Sequence, residues 1–298
     1  MQVDETLQWT GPSAALHRPV LLVAMRGWFD VGQAATAALA WLAGGRGVEV
    51  VGAIDPDPFY DFTQERPEVG LDEDGERYLR WPSNELVAIR FPDASHDLVV
   101  LIGTEPHVRW RSFGDCVVTA YRRLGCEAVV TVGAAAEPIP HTREPTVVGS
   151  TTDESLARSL GLQRPTYQGI TGIAGVLQER FEREGLPAVS LRVGVPHYLA
   201  STKHPQSAAA LLRHLEQVLG VPTRHSELAG EIARWRTLHD AAVEADDGAR
   251  AFVRMLEIEY DRRRPDETLP SGDDLAAEFE RYLRDRREDD PPNPDPNS

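Results

Sequence analysis

The chain has 298 residues, enough for one large domain or for a domain with an appendage. Its formal net charge of −16 argues against a nucleic-acid partner and against an anionic membrane surface, because both require a basic protein face. No apolar run approaches the roughly eighteen residues of a membrane span, and the N-terminus lacks a signal-peptide pattern. We therefore expect a cytoplasmic protein.

Short apolar runs that alternate with helical patterns predict the architecture of the first two thirds of the chain. The predicted strands are 20–25, 48–54, 86–91, 98–102, 128–132 and 189–193. The predicted helices are 32–42, 112–124, 152–160, 173–184 and 206–219. Strands that alternate with helices favour a parallel or mostly parallel sheet with helices on both faces. The sequence therefore predicts an α/β fold.

Two regions depart from this alternation. Residues 55–90 are rich in proline, glycine and acidic residues, and they predict one or two hairpins added to the sheet. After residue 222 the pattern becomes helical, highly charged and free of strands. The expected organisation is an N-terminal arm (1–17), a core domain (18–222), a helical C-terminal extension (223–288) and a disordered tail (289–298).

The turn after the first predicted strand carries an unusual set of side chains. Arg26, Trp28 and Asp30 follow residues 20–25 directly. Open α/β sheets place their ligand sites at the carboxyl ends of parallel strands, so this turn is a candidate site. Asp30 is placed to cap the next helix, and the alternative is a catalytic acid.

Further turns after predicted strands carry polar or aromatic side chains. They hold Glu105 and Trp110 after 98–102, His141, Thr142 and Arg143 after 128–132, Thr171 within 169–175, and His197 and Tyr198 after 189–193. The turns of a parallel sheet lie at one edge, so we expect several of these side chains to converge. The residues expected to meet are Asp30, Glu105, His141, Arg143, Thr171 and His197.

Each of these turns has a structural alternative. Glu105, which precedes a proline, is either a loop anchor or a general base. Residues 141–143 suit anion or phosphate binding, and they suit a structural hydrogen-bond cluster equally well. The glycine-rich segment 169–175 offers backbone N–H groups to an anion at a helix start, but it matches neither a P-loop nor a dinucleotide fingerprint.

The sequence contains no complete catalytic signature. It has no His-Glu-x-x-His, no Cys-x-x-Cys and no Gly-x-Ser-x-Gly motif. Asp55 and Asp57 flank a proline, where a solvated loop is favoured over a divalent-metal site. The two cysteines, Cys116 and Cys126, are expected to be buried thiols. We expect neither a cofactor nor a bound metal.

Taken together, six segments resemble the proteasome assembly chaperone family. They are 27–32, 57–62 with Tyr60, 103–106 with Trp110, 140–143, 169–175, and 196–199 with Pro205. They are most similar to the prokaryotic branch, and within it to the longer actinobacterial members with a helical C-terminal extension. The resemblance covers residues 18–219.

The resemblance implies a three-layer α/β/α sandwich similar to nucleoside phosphorylases. It also implies self-association, often as a trimer, and proteasome α subunits as partners. Some members of the family dock through a C-terminal hydrophobic-Tyr-any tail. This sequence ends Pro296-Asn297-Ser298, so the resemblance does not extend to that route.

Two functions remain open on the sequence. The first is a non-catalytic scaffold or assembly factor, which fits the resemblance and the missing catalytic signature. The second is a phosphorylase- or nucleosidase-like enzyme or a small-ligand binder. In that case Arg26, His141 and Arg143 would hold phosphate or ribose, and Glu105 or Asp30 would act as acid or base.

Overall fold

The computed structural model describes residues 3–263 and 272–289, so the predicted tail lies outside the described residues from position 290 onward. The strands are β1 (Leu7–Trp9), β2 (Val20–Arg26), β3 (Val48–Ile54), β4 (Glu68–Leu71), β5 (Arg77–Arg80), β6 (Glu85–Ile89), β7 (Leu98–Thr104), β8 (Ala128–Glu137), β9 (Val147–Ser150) and β10 (Ala188–Pro196). The helices are α1 (Val3–Thr6), α2 (Ala34–Ala43), α3 (Trp110–Leu124), α4 (Glu154–Leu160), α5 (Ile173–Arg183), α6 (Pro205–Leu219), α7 (Ala229–Glu244), α8 (Asp247–Arg263) and α9 (Gly272–Asp289).

Eight strands form one mixed sheet in the order β1-β3-β6-β7-β2-β8-β10-β9. The three central pairings, β7 with β2, β2 with β8 and β8 with β10, are parallel. The outer pairings are antiparallel. The expectation of a mostly parallel sheet is therefore wrong outside the centre. β6 runs into β7 through a short connection without a crossover helix, and such a connection produces antiparallel neighbours.

Helices cover both faces of the sheet and create two hydrophobic cores, which gives the three-layer arrangement. One core lies under α2, α4, α6 and α9, and the other lies under α3 and α5. The stripe predicted on α3 is confirmed, because Phe113, Val117, Tyr121 and Leu124 are all buried in the second core. Both cysteines are buried free thiols in the same core, as expected.

The hairpin predicted between residues 55 and 90 does not extend the main sheet. β4 and β5 pair only with each other, and nearly all of their residues are exposed. One face of this hairpin presents Val69, Leu71 and Leu79 to solvent. β6 joins the main sheet, so the predicted added hairpins are one separate ribbon and one sheet strand.

The C-terminal extension is helical, as predicted, and its helices pack differently on the core. α9 lies against α4 and α6, and it buries Phe279, Tyr282 and Leu283. α8 buries three side chains, whereas none of the residues of α7 is buried. Among the described residues we find no helix with the length and apolar character needed to cross a membrane.

Candidate functional site

The Asp30 carboxylate accepts hydrogen bonds from the first turn of a helix, as its predicted capping role requires, although Gln33 occupies the N-cap position of α2. Its Oδ1 atom accepts the backbone N–H groups of Ala35 at 2.9 Å and Thr36 at 3.2 Å, at the start of α2. The helix begins later than predicted because a 3-10 turn at Val31–Gln33 comes first. Burial raises the pKa of the Asp30 carboxyl, and the hydrogen bonds from Thr36 oppose this change.

Glu105 anchors two neighbouring loops. Its Oε1 atom accepts the N–H of Ile173 at 2.6 Å, and its Oε2 atom accepts the N–H of Trp28 at 3.2 Å. Ile173 is the first residue of α5, so this carboxylate caps the helix that follows the glycine-rich segment. The anion expected at this helix start is therefore supplied by the chain itself.

The turn before Trp28 requires glycine. Gly27 has a φ of 156°, a conformation that residues with a Cβ rarely adopt. A Cβ at this position would lie 2.7 Å from Oε2 and 2.8 Å from the Cβ of Glu105. Gly27 thus allows the Glu105 side chain to reach under the turn.

An open cleft of about 470 Å³ lies beside this anchor. Its walls include Arg26, Glu65, Thr104, His107 and Trp110. Arg26 Nη2 donates to the Thr104 hydroxyl at 2.9 Å, and it also pairs with the Glu65 carboxylate. The cleft therefore combines one guanidinium, the two carboxylates of Glu65 and Glu105 and an indole, and more than half of the Arg26 side chain remains exposed.

Tyr60 stands behind the cleft rather than in it. Its hydroxyl lies 2.8 Å from Asn84 Oδ1 and also contacts the Thr104 carbonyl. Burial raises the pKa of Tyr60 to about 12, so the phenol stays neutral. The side chain fixes the end of β7 in place.

A group of exposed apolar side chains adjoins the cleft, and we call it the strand-end patch. Trp28, Tyr167 and Ile170 are 59%, 70% and 82% exposed. A Cβ at Gly172 would lie 3.6 Å from the Trp28 ring, and the Tyr167 hydroxyl donates to the Ile170 carbonyl at 2.9 Å. Sequence reasoning missed Tyr167 and Ile170, although a large aromatic and an isoleucine inside a Gly/Pro/Thr-rich loop are a usable signal.

Thr171 borders this patch without taking part in a binding arrangement. Its side chain is exposed, and its hydroxyl makes one long contact of 3.5 Å with the Gly172 carbonyl. Trp110 lies at the start of α3, where its indole N–H donates to the Pro106 carbonyl. Both residues therefore lie near Glu105, at the same end of the sheet.

The second group of predicted residues lies elsewhere, under the C-terminal helices. His141 is buried, its Nδ1 lies 2.7 Å from the Tyr198 hydroxyl, and its Nε2 lies 3.1 Å from Asp240 Oδ1 on α7. Burial lowers the pKa of His141, whereas Asp240 opposes this shift. The exposed His197 ring packs against Tyr198, and its Nδ1 lies 3.2 Å from the Glu137 carbonyl. Burial raises the pKa of Tyr198 to about 12.

Thr142 and Arg143 contact carboxylates of α8. The Thr142 hydroxyl donates to Glu257, and Arg143 donates to both oxygens of Asp261 at 2.9 and 2.8 Å. Hydrogen bonding to Asp261 raises the pKa of Arg143. Of the two alternatives for residues 141–143, the structure shows the hydrogen-bond cluster.

The predicted convergence of all the polar turns is therefore wrong. Asp30 holds the start of α2 on one face of the sheet, whereas Glu105 holds the start of α5 on the other face, with Thr171 two residues before that helix. His141, Arg143 and His197 instead contact α7 and α8. β8 continues to Glu137, well past Thr131, the last of its residues in the ladder with β2. The loop that carries His141 consequently starts beyond the turn after β2.

Within residues 3–263 and 272–289, no three His, Cys, Asp or Glu side chains come together in a way that suits a metal ion. Asp55 uses its Oδ1 atom to accept the N–H of Asp57 at 3.0 Å. This bond forms an Asx turn in an exposed loop, and an exposed loop is the alternative that was favoured for that segment.

Comparisons with known proteins place these features in a family. The model of the PAC2 family matches residues 24–242. No curated protein matches the chain. The crystal structure of a PAC2 family protein from Streptomyces avermitilis is 38% identical with a TM-score of 0.74, and the match covers 79% of this chain and 99% of that one.

Two structures from Mycobacterium tuberculosis are also similar. A proteasome-assembly chaperone homologue is 34% identical with a TM-score of 0.71, over 78% of this chain and 99% of that chain. A protein of unknown function is 27% identical with a TM-score of 0.77, over 94% of this chain and 96% of that chain. The family model covers more than half of the chain, and the Streptomyces avermitilis PAC2 protein is 38% identical over 79% of it, so the chain belongs to the PAC2 family.

Proposed function

We propose that this protein is a non-catalytic, assembly-chaperone-like member of its family that binds proteasome α subunits. The 34% identity to a protein described as a proteasome-assembly chaperone homologue supports this role. We further propose that it works as a homo-oligomer, with a trimer as the favoured size, in the cytoplasm.

The strand-end patch carries the proposal. Exposed Trp, Tyr and Ile side chains on neighbouring loops are typical of protein interfaces, where aromatic anchors provide much of the binding energy. Glu105 holds the backbone of Trp28 and of Ile173, which directly follows the loop that carries Tyr167 and Ile170.

The acidic and basic side chains of the predicted site are engaged in hydrogen bonds within the chain, which also favours a non-catalytic role. Asp30 and Glu105 each hold two backbone N–H groups at helix starts or turns. His141 and Arg143 contact carboxylates of α7 and α8. A general acid or base needs access to its substrate, and these four side chains are engaged inside the chain.

The proposal is tested by recovering proteasome α subunits with a tagged protein from cells that contain a proteasome. We expect Trp28→Ala combined with Ile170→Asp to reduce recovery at least tenfold, as the loss of two anchor residues predicts. Leu238→Ala is the matched control, because Leu238 is 68% exposed on α7, outside the patch. Failure to recover α subunits, with normal proteasome assembly in a deletion strain, contradicts the proposal.

Self-association is tested separately by light scattering. One chain has a mass of 32.9 kDa, so a trimer is expected to scatter as about three times that mass. The mass of a single chain at all concentrations up to the millimolar range contradicts the homo-oligomer and leaves the partner proposal standing.

A second candidate function, small-ligand binding, is favoured by the cleft beside Arg26. Its volume of about 470 Å³ is in the range of ligand sites, and its exposed guanidinium suits an anionic group. His141 and Arg143 no longer belong to this hypothesis, because they lie under the C-terminal helices. A thermal-shift screen of nucleosides with phosphate tests it, with Arg26→Ala as control. No stabilisation at millimolar ligand counts against it.

A further inference from the structure

The β4–β5 ribbon stands apart from the main sheet, in the connection between β3 and β6. Its two strands pair only with each other. Residues 71–80 form an uninterrupted exposed stretch, and the flanking Val69 and Trp81 are 56% and 46% exposed. A two-stranded ribbon is marginally stable in water unless another layer packs on it. A second layer on this ribbon would therefore stabilise it.

The two faces of the ribbon differ in how far its own side chains cover them. On one face the Tyr78 ring lies over Gly70, where an added Cβ would clash with the ring. The other face carries the cross-strand pair Val69–Leu79 and the neighbouring Leu71, and each of these side chains is more than half exposed. Exposed apolar side chains that lie side by side mark an interaction surface. The apolar face is therefore the side that a second layer would cover.

Charge is distributed unevenly along the ribbon. The turn that joins its strands, residues 72–76, contains four carboxylates and no basic residue. Arg66 lies at the opposite end, just before β4, and it forms no ion pair within the part of the chain that the structure describes. Arg66 and Asp72 are six residues apart, about 20 Å along an extended strand, which exceeds the Debye length of about 8 Å at physiological ionic strength. An acidic end and a basic end thus lie on one ribbon, too far apart to neutralise each other.

A second ribbon complements this one when it packs face to face and runs in the opposite direction. With a two-fold axis through the Val69–Leu79 pair, residues two positions toward the turn meet residues two positions away from it. Arg77 of one copy then faces Trp81 of the other, and a guanidinium and an indole ring attract each other. The Phe62 ring packs edge-on against the Trp81 ring, with the ring centres 4.9 Å apart, and supports it from within the same chain.

The same arrangement matches the charges at the two ends of the ribbon. The acidic turn of each copy reaches Arg66 of the other, and the two-fold axis repeats this contact at both ends. A parallel arrangement, by contrast, places the four carboxylates of each turn side by side, where like charges repel. A second copy supplies the apolar face, the basic end and the acidic end together. Charge complementarity therefore favours a second copy as the occupant of the apolar face.

We propose that the β4–β5 ribbon joins two copies of this chain through its apolar face, antiparallel and about a two-fold axis. The two ribbons stack about 10 Å apart, as packed sheets do, with Val69 and Leu79 of both copies at the centre. The contact is small, so the association is weak and depends on concentration. It depends neither on the proposed proteasome partner nor on the proposed trimer, because it doubles whichever unit forms without it.

Sedimentation velocity on the full chain at several concentrations tests the pairing. Val69→Ser with Leu79→Ser removes the apolar centre, and we expect this change to lower the association constant at least about tenfold. At high concentration the unchanged chain is then expected to have about twice the mass of this double variant. Val48→Ser is the matched control, because Val48 is a valine of similar exposure, 45%, on β3 outside the ribbon. Circular dichroism establishes that each variant is folded.

Charge reversal tests the antiparallel arrangement. Arg66→Glu places a carboxylate where the acidic turn of the other copy meets it, and we expect the association constant to fall about fivefold or more. Adding Glu73→Lys and Glu76→Lys to this variant is expected to restore the constant to within about threefold of the unchanged chain. Within one chain these positions are too far apart to compensate each other, so the rescue reports a contact between two copies.

Three outcomes overturn the proposal. The first is an equal mass for the unchanged chain and the serine double variant at every concentration up to the millimolar range. The second is a failure of the two lysine changes to rescue Arg66→Glu. The third is a loss of recovered α subunits in the serine double variant without any change in mass, which assigns the ribbon to another protein. A doubling from one chain to two supports the ribbon contact and contradicts only the trimer.

Discussion

Glu105 Oε1 accepts the backbone N–H of Ile173 at 2.6 Å, so an acid that follows β7 caps the helix α5, almost seventy residues later in the chain. The other carboxylate oxygen of Glu105 accepts the N–H of Trp28. One side chain therefore joins the loops after β2 and β7 to the start of α5. Its geometry supports an anchoring role.

Removal of this anchor is expected to destabilise the fold. Glu105→Ala leaves two backbone N–H groups without their acceptor, which costs about 1 to 2 kcal/mol for a cap of this kind. Glu105→Gln keeps one acceptor oxygen and is expected to lose less. Urea unfolding measures the difference, and equal stability of the three proteins contradicts the anchoring role.

Gly27→Ala tests the close approach of the Glu105 side chain. The added Cβ meets the Glu105 side chain at 2.7 Å, and the φ of 156° disfavours alanine. We expect a loss of about 1 to 3 kcal/mol in the free energy of unfolding. Gly47→Ala is the control, because a Cβ there meets no atom within 4 Å. Comparable effects at the two positions refute the steric explanation.

The raised pKa of Asp30 predicts a pH dependence of stability. In the folded chain its carboxyl binds a proton at a higher pH than in the unfolded chain, because burial disfavours the charged form. Its contribution is therefore fully present below the unfolded pKa and is lost as the pH rises through the folded pKa. We expect the difference in free energy of unfolding between the unchanged chain and Asp30→Asn to decrease as the pH rises through the folded pKa of Asp30. Thermal unfolding at several pH values measures this difference. A difference that increases with rising pH contradicts the prediction.

His204 predicts the opposite behaviour at mildly acidic pH. Burial, followed by the neighbouring His239 and His141, lowers the pKa of His204 to about 3. Below the ordinary pKa of 6.5 the unfolded chain binds a proton that the folded chain does not. The free energy of unfolding therefore decreases as the pH is lowered, by at most about 1.4 kcal/mol per pH unit. The loss continues until the folded pKa is reached.

The variant His204→Asn isolates this effect. The His204 ring accepts the N–H of Ser207 at 3.1 Å, and an asparagine oxygen is also a good acceptor at a helix start. We expect the variant to lose less stability than the unchanged chain between pH 6.5 and pH 4. Parallel pH profiles for the two proteins contradict the assignment.

The elements with strong local patterns were predictable from the sequence. The α3 stripe buries Phe113 and Leu124 as its spacing indicates, and Asp30 binds N–H groups in the first turn of α2, as an acid before an apolar helical run is expected to do. The short edge strands β1 and β9 were missed. Three or four residues are too few to show an alternating pattern.

The candidate site was only partly predictable, because the arrangement of its side chains depends on contacts between segments that are distant in the sequence. The local sequence shows only that His141 and Arg143 are polar loop residues. Their role is determined by their partners Asp240 and Asp261, which lie about a hundred residues later in the chain. Trp28 lies in a short turn between a buried strand and a helix, yet its ring is largely exposed. No local pattern reports whether a loop aromatic is covered.

The packing of α9 bears on how the chain folds during synthesis. Strand β2, near the N-terminus, lies at the centre of the sheet, and Arg18 just before it pairs with Glu280 on α9. A ribosome delivers these segments at opposite ends of translation, because residues emerge in order. The face of the sheet under α4 and α6 is therefore incomplete until α9 has left the exit tunnel, and its apolar surface needs protection from aggregation during that interval.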